Sequence, residues 1–218
     1  TGNDQFIFRD GADGFGTLNG GAGTDRLNYA AVSTPVTVNL QRKSASKLTG
    51  FASVENFAGG SNSDTLVGGN TANNWLINGP NAGSVGTTVS FSSFECLTGG
   101  ISSDKFVLAT SAADLSGQIL GGGGTDTLTA FERANTWSLS GACAGSVTGP
   151  RGSGPVDGIL FSAVKNLTGS GGNDRFVFGD GANGFGTISG GAGTDALDYS
   201  GVTAPVTVNL QAKSALGL

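Results

Sequence analysis

Short runs of alternating apolar and polar residues recur along the whole chain, each bounded by a cluster of Gly, Asn, Ser or Asp. In PVTVNL (35–40), Val36, Val38 and Leu40 fall on one side, and Thr37 and Asn39 on the other. DQFIF (4–8) and DRFVF (174–178) pair Phe6 with Phe8, and Phe176 with Phe178, in the same way. A period of two over four to six residues predicts strands, and the Gly- and Asn-rich punctuation predicts tight turns between them. No segment sustains a 3.6-residue period, and Gly recurs too often for helix interiors. The fold class this predicts is all-β.

Self-comparison refines that prediction. Residues 3–48 realign on 173–218 at a constant offset of 170, with 31 of 46 positions identical. Residues 63–85 return as 125–147 at offset 62, and residues 91–108 return as 161–178 at offset 70. The difference of 8 marks an insertion near TGPRGSGPVDG (148–158), expected to be a longer loop. A Gly-rich turn followed by Asp and an apolar pair recurs at Asp4, Asp25, Asp64, Asp104, Asp126, Asp174 and Asp195. Once the insertion is removed, the separations are near one or two multiples of about 20 residues, a period typical of repeat architectures. The expected architecture is a parallel β-solenoid, β-helix or β-roll in style, right-handed by analogy with most such coils, with rungs of about 20 residues. Residues 1–170 then form one unit of about 8 rungs, and 171–218 begin the next, continuous with the first. At ~4.8 Å per strand, the unit would be about 38 Å long. A tandem array is the expected context, and with no Met the chain is expected to be a mature or internal fragment.

Composition narrows the function. Gly, Ser, Thr and Asn supply 101 of 218 residues, but with 37% hydrophobic residues and 13 Phe the chain can bury a core and is not plainly disordered. It has no His, which removes Ser-His-Asp and Cys-His catalysis and imidazole metal sites. A net charge of −5 with 11 scattered Lys and Arg excludes the basic stripe of a nucleic-acid binder. No apolar run approaches the ~20 residues of a membrane helix, so no membrane insertion is expected. Two Cys make no disulfide framework. Cys96 and Cys143 lie about two rungs apart, too far for an intrachain bond, which leaves free thiols or an interchain link.

The sharpest motifs are GGAGTDRLN (20–28), GGGGTDTLT (121–129) and GGAGTDALD (190–198), with GSGGNDRFV (169–177) one Ser away. They resemble the nonapeptide of the repeats-in-toxin (RTX) calcium-binding β-roll family. The wider texture, with DYSGVTAPVTVNL and FASVENFAGGSNSDTLVGG, resembles long repetitive bacterial surface and adhesin-type proteins, over essentially the whole chain. The resemblance implies Ca²⁺ held between neighbouring rungs by the pairs Asp4 with Asp25, Asp104 with Asp126, and Asp174 with Asp195. The competing reading of each Asp is a turn in which the carboxylate caps its own Gly-rich backbone. The chain also departs from the family. The motif occurs at most once per rung, and GGSNSDTLV (59–67) and GGISSDKFV (99–107) lack the fourth Gly.

Other recurring positions have structural readings beside functional ones. FASVENF, FSSFECL and FSAVKNL share a sixth residue, Asn56, Cys96 and Asn166, expected to form a turn ladder. Trp75 and Trp137 are core fillers or carbohydrate-stacking platforms, and Tyr29 and Tyr199 follow the same logic. Phe6, Phe8, Phe106, Phe176 and Phe178 are expected to stack internally. Asp10, Asp13, Asp180 and Asp198 are expected to face water. A polysaccharide-lyase reading needs one unique constellation, but here the acids recur, and Arg9 and Arg26 become Gly179 and Ala196 in the second copy. A phosphate-loop reading lacks the Lys-Ser/Thr and strand–helix context.

The expected function is therefore non-catalytic: a structural segment of a large secreted or cell-surface bacterial protein, as an adhesin stalk or extracellular fibre. Its partners would be neighbouring copies of the same repeat, associating end to end or laterally, with cell-surface glycans as a further candidate. The alternative is a calcium-triggered RTX-type binding or secretion module of a larger enzyme or toxin.

Overall fold

The computed structural model describes residues 2–149, 158–211 and 214–216. Most of the longer loop expected at 148–158 lies outside the described residues. All regular structure among the described residues is β. Ten strands form one sheet, in spatial order β1 (Gln5–Arg9), β3 (Arg26–Ala31), β7 (Asn56–Ala58), β11 (Val89–Ser92), β10 (Ala82–Val85), β9 (Asn74–Gly79), β13 (Lys105–Leu108), β15 (Thr127–Thr129), β19 (Asn166–Thr168) and β21 (Ile188–Ser189). Twelve form the other: β2 (Phe15–Asn19), β6 (Leu48–Ala52), β5 (Ser44–Ala45), β4 (Thr37–Asn39), β8 (Thr65–Val67), β12 (Cys96–Thr98), β14 (Gln118–Leu120), β18 (Ile159–Ser162), β17 (Ala144–Thr148), β16 (Thr136–Gly141), β20 (Arg175–Gly179) and β22 (Ala196–Gly201). β23 (Thr207–Asn209) and β24 (Ser214–Leu216) pair as a separate antiparallel hairpin.

From β1 to β22, among the described residues, the chain crosses from sheet to sheet after each strand, except at three places. β4–β5–β6, β9–β10–β11 and β16–β17–β18 each fold back twice within one sheet as an antiparallel pleat. Left-handed residues turn these pleats: Lys43 and Lys47 in the first, Asn81 in the second, Cys143 in the third. Asn tolerates that conformation best among non-Gly residues, which fits the NGPN turn at 78–81.

The pleats overturn the uniform rung of about 20 residues, and the sheets are mixed rather than simply parallel. Where no pleat intervenes, parallel neighbours are 21 or 22 residues apart, as in Gln5 beside Arg26 and Lys105 beside Thr127. Across a pleat the step lengthens to 28 for Thr37 beside Thr65, and to 39 for Thr127 beside Asn166. The Asp separations near 40, which read as two short rungs in sequence, instead join opposite sheets across a pleat: Asp25 precedes β3 of the ten-strand sheet, Asp64 precedes β8 of the twelve-strand sheet, and Asp104 precedes β13 of the ten-strand sheet.

Alternation along each strand builds the core. In the ten-strand sheet, Val85, Trp75, Phe106, Leu128 and Leu167 follow one another across successive strands; in the twelve-strand sheet Val38, Leu66, Leu97, Ile119 and Phe161 do the same. All ten are buried and belong to one apolar cluster. The sheets share it: Phe51 of β6 packs on Phe57 of β7 at 5.2 Å, and the Tyr29 hydroxyl of β3 donates to the Ser46 carbonyl at 2.8 Å. Trp75 and Trp137 are 1% and 0% exposed and stack on Phe106 and Phe176, each at 5.5 Å. Burial leaves neither ring a face for a sugar, which removes them as carbohydrate platforms. Phe8 on Tyr29 and Phe178 on Tyr199 are likewise stacked, both at 4.6 Å.

Candidate functional site

The acidic positions singled out from sequence lie where the chain enters a strand, along the edges of both sheets. Each takes part in the same exchange with the preceding strand in its sheet. The Asp4 amide donates to Asp25 Oδ1 at 2.7 Å, and the Arg26 amide donates back to the Asp4 carbonyl at 2.9 Å. The Asp104 amide donates to Asp126 Oδ1 at 2.7 Å, with Thr127 donating to the Asp104 carbonyl. The Asp174 amide donates to Asp195 Oδ1 at 2.9 Å, with Ala196 returning the bond. The three pairs expected one rung apart are therefore adjacent, bridged by carboxylate and backbone.

The ladder is longer than those pairs. Val36 donates to Asp64 Oδ1 at 2.6 Å, Asn73 to Asp104 Oδ1 at 2.7 Å and Asn135 to Asp174 Oδ1 at 2.8 Å. Glu55 Oε2 accepts the Asp25 amide at 2.9 Å, and Glu95 Oε2 accepts the Asp64 amide at 2.7 Å. Sequence reasoning passed over Glu55, Glu95, Asn73 and Asn135. The signals were present: Glu is the fifth residue of FASVENF and FSSFECL, and Asn73 stands at the Asp position of GGNTAN. In FSAVKNL that fifth residue is Lys165, which offers Asp126 no acceptor and instead donates to the Gly124 carbonyl at 2.7 Å.

Steric need explains the first Gly of each motif. The carboxylate folds back over the residue five positions earlier. A Cβ on Gly121 would lie 2.7 Å from Asp126 Oδ2 and nearer still to the Ala163 carbonyl oxygen of the next strand's approach. The second oxygen divides the motifs into two types. In the loops of Asp64 and Asp104, Oδ2 accepts its own loop's amide, from Gly60 and from Gly100 (2.7 Å for the latter). In the loops that follow the G-G-x-G-x-D pattern, and in GSGGND, the second and fourth residues are left-handed, as at Gly122 and Gly124. There the buried Oδ2 atoms of Asp25, Asp126 and Asp174 have no hydrogen-bond partner among the described residues.

Burial raises the carboxyl pKa of Asp64, Asp126 and Asp174 above the ordinary value, against the pull of the amides donated to them. The exposed Asp10 and Asp180 and the half-buried Asp198 behave oppositely. Asp10 and Asp180 are held low by the amide and hydroxyl of Ser33 and Thr203, which they cap from 23 residues away. Asp198 is held at about 2 by Ser200 and by its ion pair with Arg175. Asp13 is exposed and accepts only from Gly14 beside it.

Asn56, Cys96 and Asn166 open β7, β12 and β19 and do not stack on one another: Cys96 belongs to the twelve-strand sheet, and β7 and β19 are far apart in the other. Each serves its own step. Asn56 Nδ2 donates to the Asp25 carbonyl at 3.3 Å, Asn166 Oδ1 accepts from Thr187 at 2.9 Å, and Cys96 Sγ lies 3.8 Å from Ser63 Oγ. Both cysteines are free, and Cys143 Sγ donates to the Gly184 carbonyl at 2.9 Å.

Among the described residues, no three acidic or thiol side chains converge as a metal cluster. Along the ladder it is the Oδ1 atom of each Asp that a backbone amide of the neighbouring strand takes up. No protein-family model and no curated protein matches this chain.

Proposed function

We propose that this chain is a non-catalytic structural segment of a large secreted or cell-surface bacterial repeat protein, its two sheets wound as one β-solenoid interrupted by three-strand pleats. One observation carries the reading: the same carboxylate–amide exchange and the same apolar columns recur from strand to strand. No level is chemically singled out, as a catalytic groove would require. A body held by strand pairing along its length resists extension, and its open sheet edges lie at its ends, where further copies of the repeat would continue it.

A second reading, a calcium-triggered RTX-type module, is favoured by the unpartnered Oδ2 atoms of Asp25, Asp126 and Asp174. Asp25 with Asp4, Asp126 with Asp104, and Asp174 with Asp195 would hold the ion. Each pair offers one free buried carboxylate oxygen, against the ~6–8 oxygens calcium takes, so backbone carbonyls and water would have to complete the shell. Bound calcium would turn binding energy into folding energy.

Circular dichroism in chelator and then in millimolar calcium separates the two. The structural reading expects a β spectrum and melting temperature unchanged by chelator. A coil spectrum that becomes β on adding calcium would overturn it in favour of the calcium module.

A further inference from the structure

The 170-residue repeat does not return the chain to the same sheet. β1 and β3 lie in the ten-strand sheet, but their counterparts β20 and β22 lie in the twelve-strand sheet. β2 lies in the twelve-strand sheet and its counterpart β21 in the other. The internal repeat behaves alike. The pleat β9–β11 is in the ten-strand sheet, and its counterpart β16–β18 is in the twelve-strand sheet. The cause is topological: each repeat contains an odd number of crossings between sheets.

The second copy also shows what belongs on the end face of the first. Phe176 and Phe178 are buried because β16 lies on β20, with Trp137 beside Phe176 and Leu139 beside Phe178. Their counterparts Phe6 and Phe8 are on β1, whose outer edge carries no strand among the described residues. There Phe6, Ile7, Phe8, Phe15 and Leu18 line an apolar hollow of about 200 Å³. At the other end Phe176, Ile188 and Leu197 line a second hollow of about 160 Å³.

Resting on the structural-segment reading, we propose that the β1–β2 end face is the seat for a further copy of this same repeat, turned by half a revolution about the long axis. Its β16-type strand lies on β1 with Trp beside Phe6, in the register that sets Thr136 beside Arg175 here. Successive copies then present each face alternately to opposite sides. β20 stands ten strand positions beyond β1, and β21 nine beyond β2. A mean of 9.5 spacings of ~4.8 Å makes the advance per copy about 46 Å, longer than the 38 Å of eight uniform rungs, and the full axial period about 92 Å.

The test is a chain in which residues 1–170 are written four times ahead of 171–218, so that every junction is the one already present here. Cys96→Asn and Cys143→Asn use residues found at equivalent repeat positions, and Lys105→Cys, on the exposed face of β13, takes a maleimide gold label. Electron microscopy should show rods about 46 Å longer per added unit, with labels alternating between sides. Rods of that length labelled along one side only would overturn the half-turn while keeping the structural reading. Particles that do not lengthen as rods would overturn the structural reading, and this inference with it.

Discussion

Removing the Asp104 carboxylate tests whether the ladder holds the strands in step. Asp104 is 2% exposed, and three donors converge on it: the Asn73 amide, the Asn73 side chain and the Gly100 amide, all at 2.7 Å. In Asp104→Ala the Asn73 side chain keeps the Gly69 and Thr71 carbonyls, so two backbone amides are left without an acceptor. A buried donor without a partner costs ~1–3 kcal/mol. Both amides are only part-buried, so the expected loss is about 2–4 kcal/mol, a large share of the ~5–15 kcal/mol that typically holds a domain. Asp104→Asn keeps one oxygen and turns an amide group toward the other donor, so it should lose about half as much. Asp13→Ala should stay within ~0.5 kcal/mol. Urea unfolding followed by tryptophan fluorescence reads this directly, because Trp75 stacks on Phe106, two residues beyond Asp104. An Asp104→Ala protein within about 0.5 kcal/mol of the parent would refute the ladder as a source of stability.

Three further perturbations follow from the same geometry. Gly121→Ala drives a Cβ against the Ala163 carbonyl and the Asp126 carboxylate, and should cost at least ~3 kcal/mol, read as a lowered melting temperature, whereas Gly16→Ala, with open space around it, should not. Asp64, Asp126 and Asp174 have native pKa values above the ordinary carboxylate value, so the native state binds protons more readily than the unfolded chain. Stability should therefore fall as pH rises from about 4 through their native values, and below pH 4 be lost again as Asp10, Asp180 and Asp198 protonate. Calorimetry should place the melting maximum on the acid side of neutrality, with Asp126→Asn flattening the fall; a melting temperature climbing steadily to pH 7.5 would contradict this. Tyr29→Phe removes the bond to Ser46 and should cost ~0.5–1.5 kcal/mol, whereas Tyr199→Phe, whose buried hydroxyl has no partner among the described residues, should cost less by the same urea titration.

Much of the fold was legible in the chain because strand alternation and turn chemistry are local. The inward positions Val36, Val38, Phe106, Phe176 and Phe178 follow from a period of two, and the Asp pairs at 21 and 22 residues are adjacent because an unpleated step has that length. The pleats were not legible as such, since a hairpin that stays in its sheet and a strand that crosses to the other share the same alternating pattern and the same Asn and Gly punctuation. Glu55 and Glu95 were missed for a related reason: their carboxylates matter only once an amide 30 or 31 residues earlier is placed beside them.

The sequence by itself determined an all-β chain, its 170-residue repeat and the residues that must face inward. All are set by neighbours within a few positions, or by comparing the chain with itself. Only the tertiary structure decided which sheet each strand joins, because membership depends on whether the number of crossings between two points is odd or even. That parity sets equivalent strands in opposite sheets, β1 and β3 in one and their counterparts β20 and β22 in the other.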